Sequence, residues 1–88
     1  MNDEAVLSND DRFTSFTYND QVIRFKTSPR LERYTKIVKW DNGYIVVMAV
    51  YNGVETEDYI DLIPILENLC INPEEFLKPI KKVRIQYD

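Results

Sequence analysis

Apolar and β-branched residues alternate with polar ones through most of the first two thirds of the chain, and the period lengthens to about 3.6 only after Asp61. Two Asn-Gly pairs, Asn42-Gly43 and Asn52-Gly53, each separate runs rich in Val, Ile, Tyr and Trp. A type I′ turn needs positive φ at both central residues, which Asn and Gly accept most readily, so each pair predicts a hairpin. Together the turns predict a three-stranded meander over residues 33–41, 44–51 and 54–60. With regular pairing, Val38 would face Val47, Trp40 would face Ile45, Tyr34 would face Tyr51, and Ile45 would also face Ile60. Those residues share one face. The other face, with Lys39, Tyr44, Val46, Met48, Val50, Glu55, Glu57 and Tyr59, is mixed rather than polar, so the middle strand is expected to be covered on both sides.

Upstream, residues 13–18 and 21–26 are β-favouring runs around Asn19-Asp20, and predict an earlier hairpin. Residues 27–30, with Pro29, link it to the meander, while residues 1–11, rich in Asp and Asn, read as a flexible tail, a frayed end or a short helix. Downstream, Leu62, Ile65, Leu66 and Leu69 recur at helical spacing behind Asp61 as a candidate N-cap. Asn72-Pro73-Glu74-Glu75 is a second helix start, with Phe76 and Leu77 on its apolar side and Pro79 as its stop. Residues 82–87 alternate strictly, Val83, Ile85 and Tyr87 against Lys82, Arg84 and Gln86, and predict a half-buried final strand. The expected fold is α+β: an antiparallel β-sheet, a meander of four to six strands, with one short helix plus a helical turn packed on one face. Residues 12–88 form its single domain and residues 1–11 its tail.

Composition narrows the chemistry. At 88 residues there is room for one core, and 44% hydrophobic against 30% charged residues is the balance of a globular chain. With no histidine, one cysteine and two glycines, Ser-His-Asp and Cys-His triads, His-ligated metals, Cys-rich zinc sites and Gly-rich phosphate loops are excluded by counting. No catalytic, metal or cofactor-binding residue is assigned, and the chain is expected not to be an enzyme. No apolar run is long enough for a membrane span, the opening residues lack the plan of a signal peptide, and Cys70 alone forms no internal disulfide, which together place the protein in the cytoplasm.

From Tyr51 onward, the order Asn-Gly hairpin, short strand, Asp61-Leu62-Ile63-Pro64-Ile65-Leu66, Phe76 and Val83-Arg84-Ile85 resembles a family of short bacterial domains of unknown function, in which an Asn-Gly hairpin leads into an Asp-Leu-Ser-Pro-Leu-Leu helix start. Ile63 stands where that family has Ser, and the spacing from Phe76 to Val83 is longer. The resemblance implies a small mixed domain, sometimes an antitoxin-like partner of another small protein, and carries over no catalytic residue.

Charge is unevenly spread. The net charge is −4, yet residues 21–40 hold six basic residues, Arg24, Lys26, Arg30, Arg33, Lys36 and Lys39, against Glu32 alone. Phe25, Tyr34 and Trp40 lie among them, and cations interleaved with aromatics on a sheet are how many small domains hold single-stranded nucleic acid. These six are the candidate nucleic-acid-binding residues. Against them, the acidic flanks oppose the field, and an alternating strand turns Tyr34 and Trp40 toward the core. The acidic cluster Glu55, Glu57, Asp58 and Asp61 divides between two strand faces and a helix cap, and reads as a charged edge that resists aggregation. Cys70, between Leu69 and Ile71, reads as a small buried hydrophobe. The leading expectation is therefore a non-enzymatic interaction module, using an edge strand or an apolar sheet face and forming a homodimer. The alternative is a nucleic-acid-binding or regulatory accessory protein that uses residues 24–39.

Overall fold

In the computed structural model, which describes residues 2–86, Asn42 and Gly43 have φ of 50° and 93°, and Asn52 and Gly53 have φ of 50° and 77°. These left-handed pairs join β4 (Leu31–Asp41), β5 (Tyr44–Tyr51) and β6 (Val54–Asp61) into the expected meander. The earlier hairpin, β2 (Phe13–Tyr18) and β3 (Gln21–Lys26), turns on Asn19 and Asp20 with φ of 52° and 65°. The helices are α1 (Leu62–Asn68) and α2 (Pro73–Leu77), and each starts where its side-chain cap dictates. Asp61 Oδ1 accepts from the Ile63 N–H and Asn72 Oδ1 from the Glu75 N–H.

Four expectations are corrected, three in the sheets and one at the end of α1. Residues 4–9, expected in a flexible tail, form strand β1 (Glu4–Asn9) between β2 and β7 (Lys82–Ile85). The Asp and Asn residues around them hid the short run Ala5-Val6-Leu7, whose alternation sends Ala5 and Leu7 into the core with no exposure. Secondly, the α+β class holds, antiparallel strands with two short helices packed on them, but the strands number seven rather than four to six and divide between two sheets, β3-β2-β1-β7 and β4-β5-β6. All pairs are antiparallel except β1 with β7, which run parallel from Glu4 opposite Lys82 to Leu7 opposite Ile85. Tyr87, expected on the last strand, lies outside the described residues.

The third correction is the register of β4. Trp40 faces Ile45, as expected, but Ile37 rather than Val38 faces Val47, and Ala49 rather than Tyr51 faces Tyr34. The ladder slips between Leu31 and Arg33, between Tyr34 and Lys36, and between Ile37 and Lys39, so Glu32, Thr35 and Val38 are each an extra residue in a bulge. Bulges repeated at every third residue replace the alternation by a period of three. Leu31, Tyr34, Ile37 and Trp40 then point inward, and Val38 is left 47% exposed.

The inner faces of the two sheets meet in one core. Phe16, Leu7 and Ile23 from the first sheet oppose Ile45, Val47 and Tyr34 from the second, and Leu62, Leu66, Leu77 and Ile80 close one end. Phe16 stacks on Trp40, with ring centroids 5.8 Å apart, and tilts against Phe76 at 6.4 Å. The Trp40 indole N–H donates to the Ile80 carbonyl at 3.3 Å, tying β4 to the chain just past α2. Leu69 ends the apolar stripe of α1 as its C-cap and is 49% exposed. Cys70, expected buried, is exposed with φ of 59°. Its N–H bonds the Glu67 carbonyl while the Ile71 N–H bonds that of Leu66. This is the Schellman arrangement, in which the left-handed residue sits outside the helix and its side chain faces water.

Candidate functional site

The bulges of β4 decide what the outer face of the second sheet presents. Because β4 repeats every three residues, Arg33, Lys36 and Lys39, which simple alternation would divide between two faces, line up on one, opposite Val50, Met48 and Val46 of β5. On the far side of β5 the same residues face Glu55, Glu57 and Tyr59 of β6. The outer face therefore has three rows: cations along β4, apolar side chains along β5, and carboxylates ending in tyrosine along β6.

Burial agrees with the register. Arg33, Lys36, Lys39, Glu55 and Glu57 are exposed, Val46 and Met48 are half-buried, and Tyr44 and Tyr59 are 42% and 53% exposed while stacked on each other at 5.9 Å. Glu55 reaches across β5 to accept from the Thr35 hydroxyl at 2.9 Å, which covers Val50 and leaves it 6% exposed. Two strand spacings, roughly 10 Å, separate the cationic row from the acidic row, and among the described residues Arg33, Lys36 and Lys39 make no ion pair.

The six basic candidates are not brought together. Arg24 and Lys26 project from the outer face of the first sheet, beside Phe13, where Arg24 lies 4.7 Å over the Phe13 ring and 3.9 Å from Asp10. Arg30 sits in the loop between the sheets, and Arg33, Lys36 and Lys39 lie on the outer face of the second sheet. In a two-layer stack those outer faces look away from each other. The interleaved aromatics turn inward: Tyr34 is 5% exposed, Trp40 stacks on Phe16, and Phe25 packs against the core. The rings interleaved with the cations in sequence are thus withdrawn from base stacking, and the exposed rings on the two outer faces are already engaged, Phe13 beneath Arg24 and Tyr44 against Tyr59. Sequence reasoning missed the grouping of Arg33, Lys36 and Lys39 on one face, yet its signal was present: apolar residues at 31, 34, 37 and 40 and cations at 33, 36 and 39 both repeat every three.

The acidic cluster divides as expected, Glu55 and Glu57 outward, Asp58 inward, and Asp61 at the cap of α1. Asp58 accepts from the Tyr51 hydroxyl at the mouth of a cleft of about 220 Å³ between β3 and β6. Deeper in, the Thr14 hydroxyl bonds those of Thr27 at 2.7 Å and Tyr34 at 3.0 Å. These buried hydroxyls satisfy one another, so the cleft presents no unpartnered buried polar side chain among the described residues.

Burial, then the hydrogen bond and charge of Asp58, hold the Tyr51 phenol above its ordinary range. Burial raises Tyr34 likewise, with the Thr14 bond opposing and Asp58 adding. Where an unfolded tyrosine releases its proton, near pH ~10, these two keep theirs, so the folded state binds more protons and stability falls as pH rises further. The urea midpoint is expected to drop steeply above pH ~10, and less steeply in Asp58→Asn, which removes the carboxylate beside both phenols. Equal slopes in the two proteins would refute the coupling.

Fold and face together define a small two-sheet α+β domain with a charge-striped, partly apolar outer sheet. The chain belongs to the domain of unknown function DUF7724, whose family model matches residues 3–88. Neither curated proteins nor solved structures yield a match to it. No helix among the described residues is long and apolar enough to cross a membrane.

Proposed function

We propose that this chain is a small non-enzymatic protein–protein interaction module that self-associates through the outer face of its second sheet. The observation that carries the reading is the apolar row of β5, with Tyr44 and Tyr59 exposed at its end, flanked by charge on both sides. Aromatic and aliphatic side chains at the centre of a patch, rimmed by polar groups, have the anatomy of a protein interface. Such a module would act in the cytoplasm, whereas the bacterial, antitoxin-like accessory role that the sequence resemblance implies belongs to the alternative reading, with residues 24–39 as its site. The nucleic-acid alternative draws support only from the number of cations, since they occupy two outer faces and a loop.

Sedimentation equilibrium across micromolar concentrations tests the proposal. The expected result is a reversible monomer–dimer equilibrium, unchanged by a mixed single-stranded oligonucleotide at low salt. Tyr59→Ala, at a residue exposed enough to leave the fold intact, should weaken the dimer about tenfold, the effect of losing one interface anchor. A monomer at every concentration, binding the oligonucleotide only at low salt, would overturn the proposal in favour of the accessory reading.

A further inference from the structure

The three rows are not symmetric about β5, and that asymmetry dictates how two such faces can meet. Two sheets laid face to face are related by a two-fold axis in the plane between them. If the axis crosses the strands, the β4 row of one copy lies over the β4 row of the other, and Arg33, Lys36 and Lys39 meet their own kind. If the axis runs along β5, each row crosses to the opposite one. Positions along the strand are then preserved, because rotation about that axis involves no sliding.

The ladder supplies those positions. Arg33, Val50 and Glu55 stand at one level, Lys36, Met48 and Glu57 at the next, and Lys39, Val46 and Tyr59 at the third. Rotation about β5 therefore sets Arg33 of one copy over Glu55 of the other, Lys36 over Glu57, Lys39 over Tyr59, and the β5 side chains over each other. Every cation–acid pair occurs twice. Within one chain the two rows project side by side from strands about 10 Å apart, and Arg33, Lys36 and Lys39 make no ion pair among the described residues. Across two stacked sheets a long Lys or Arg and a Glu side chain cover the same gap from both sides. The arrangement leaves Asp41 over Asp61 at the turn end, where both sit at the wet rim and water screens them.

We infer that two copies of this chain pair outer face to outer face about a two-fold axis along β5, with Lys36 and Glu57 exchanged between copies at the centre. This inference rests on the self-association reading and specifies its geometry. The natural angle of about 30° between stacked sheets inclines the axis to β5 by half that, so the rows match best at the middle level and diverge toward the ends. Three strands, with the eight residues of β5 and β6 setting the length, project only about 14 by 27 Å, so the dimer belongs to the small, fast-exchanging class of interfaces. Its association weakens as salt rises.

A charge-exchange experiment tests the orientation. Lys36→Glu puts acid over acid in a homodimer, and Glu57→Lys puts base over base. Both residues are exposed, and thermal melting checks that each variant stays folded. Each variant alone is expected to associate at least tenfold more weakly than the unsubstituted chain. An equimolar mixture of the two, one fluorescently labelled and followed by sedimentation velocity, should restore dimers. In that mixed dimer the introduced carboxylate of the first variant faces the introduced amine of the second, while Lys36 of the second still faces Glu57 of the first. The double variant Lys36→Glu with Glu57→Lys should likewise dimerise on its own. If the unsubstituted chain dimerises but the mixture and the double variant gain nothing over the single variants, this geometry is overturned while self-association stands. If the unsubstituted chain is monomeric throughout, the self-association reading itself fails, and this inference with it.

Discussion

Truncating Phe16 to alanine is expected to cost about 3–5 kcal/mol, the range for emptying a fully buried aromatic site. Phe16 has no exposure, stacks on Trp40 of the second sheet and tilts against Phe76 of α2. It is the side chain at which both sheets and the second helix meet, so no single element can move in to fill the space. A domain of this size holds about 5–10 kcal/mol in total, so the variant should be partly unfolded at ambient temperature. Urea unfolding followed by the fluorescence of Trp40, the single tryptophan, reads the loss directly. A loss below about 1 kcal/mol would mean that the sheets are held together elsewhere.

The two turn glycines should separate clearly. Gly53 has φ of 77° with nothing near the position of an added Cβ, whereas Gly43 has φ of 93° and its Cβ would lie 2.6 Å from the Leu77 side chain. Alanine at Gly53 therefore meets only left-handed strain, about 1 kcal/mol. At Gly43 it also forces aside Leu77, which is buried between α2 and the sheet, and disturbs the turn whose carbonyl accepts from the Leu62 N–H at 2.9 Å. About 2–3 kcal/mol is expected for Gly43→Ala, the sum of strain and overpacking. Urea midpoints of the two variants side by side check this, and a Gly53→Ala loss equal to or above that of Gly43→Ala would contradict the packing argument.

These glycines also show what the sequence made legible. Turns written in Asn, Gly and Asp, caps written in Asp61 and Asn72, and the change of period at α1 are local signals, and the corresponding elements fall where they were expected. What escaped was decided at a distance. Strand β1 carries only three apolar residues among the Asp and Asn that surround them, and its place between β2 and β7 makes a strand of it. The parallel partnership with β7 joins residues some eighty positions apart, and no local pattern encodes it. Likewise the period of three in β4 was visible as spacing, but alternation is the default reading of a β run, so the cations of the outer face were divided between two faces. Leu69 and Cys70 were carried inward by extending the helical stripe one turn beyond the point where the chain turns left-handed.

The pairing of β1 with β7 also sets an order of events during folding. The hairpins β2-β3, β4-β5 and β5-β6 close loops of two residues and can zip as soon as their turns form. The inner strand of the first sheet closes a loop longer than seventy residues when it meets β7, at an entropic cost that local contacts do not share. During synthesis β1 can dock on β2 early, yet its other edge stays open until β7 has been made. The slow step is thus expected to be the docking of β7 on β1, which completes the first sheet, with Glu4 receiving Lys82 and Arg84 at 3.8 and 2.7 Å as the two strands meet.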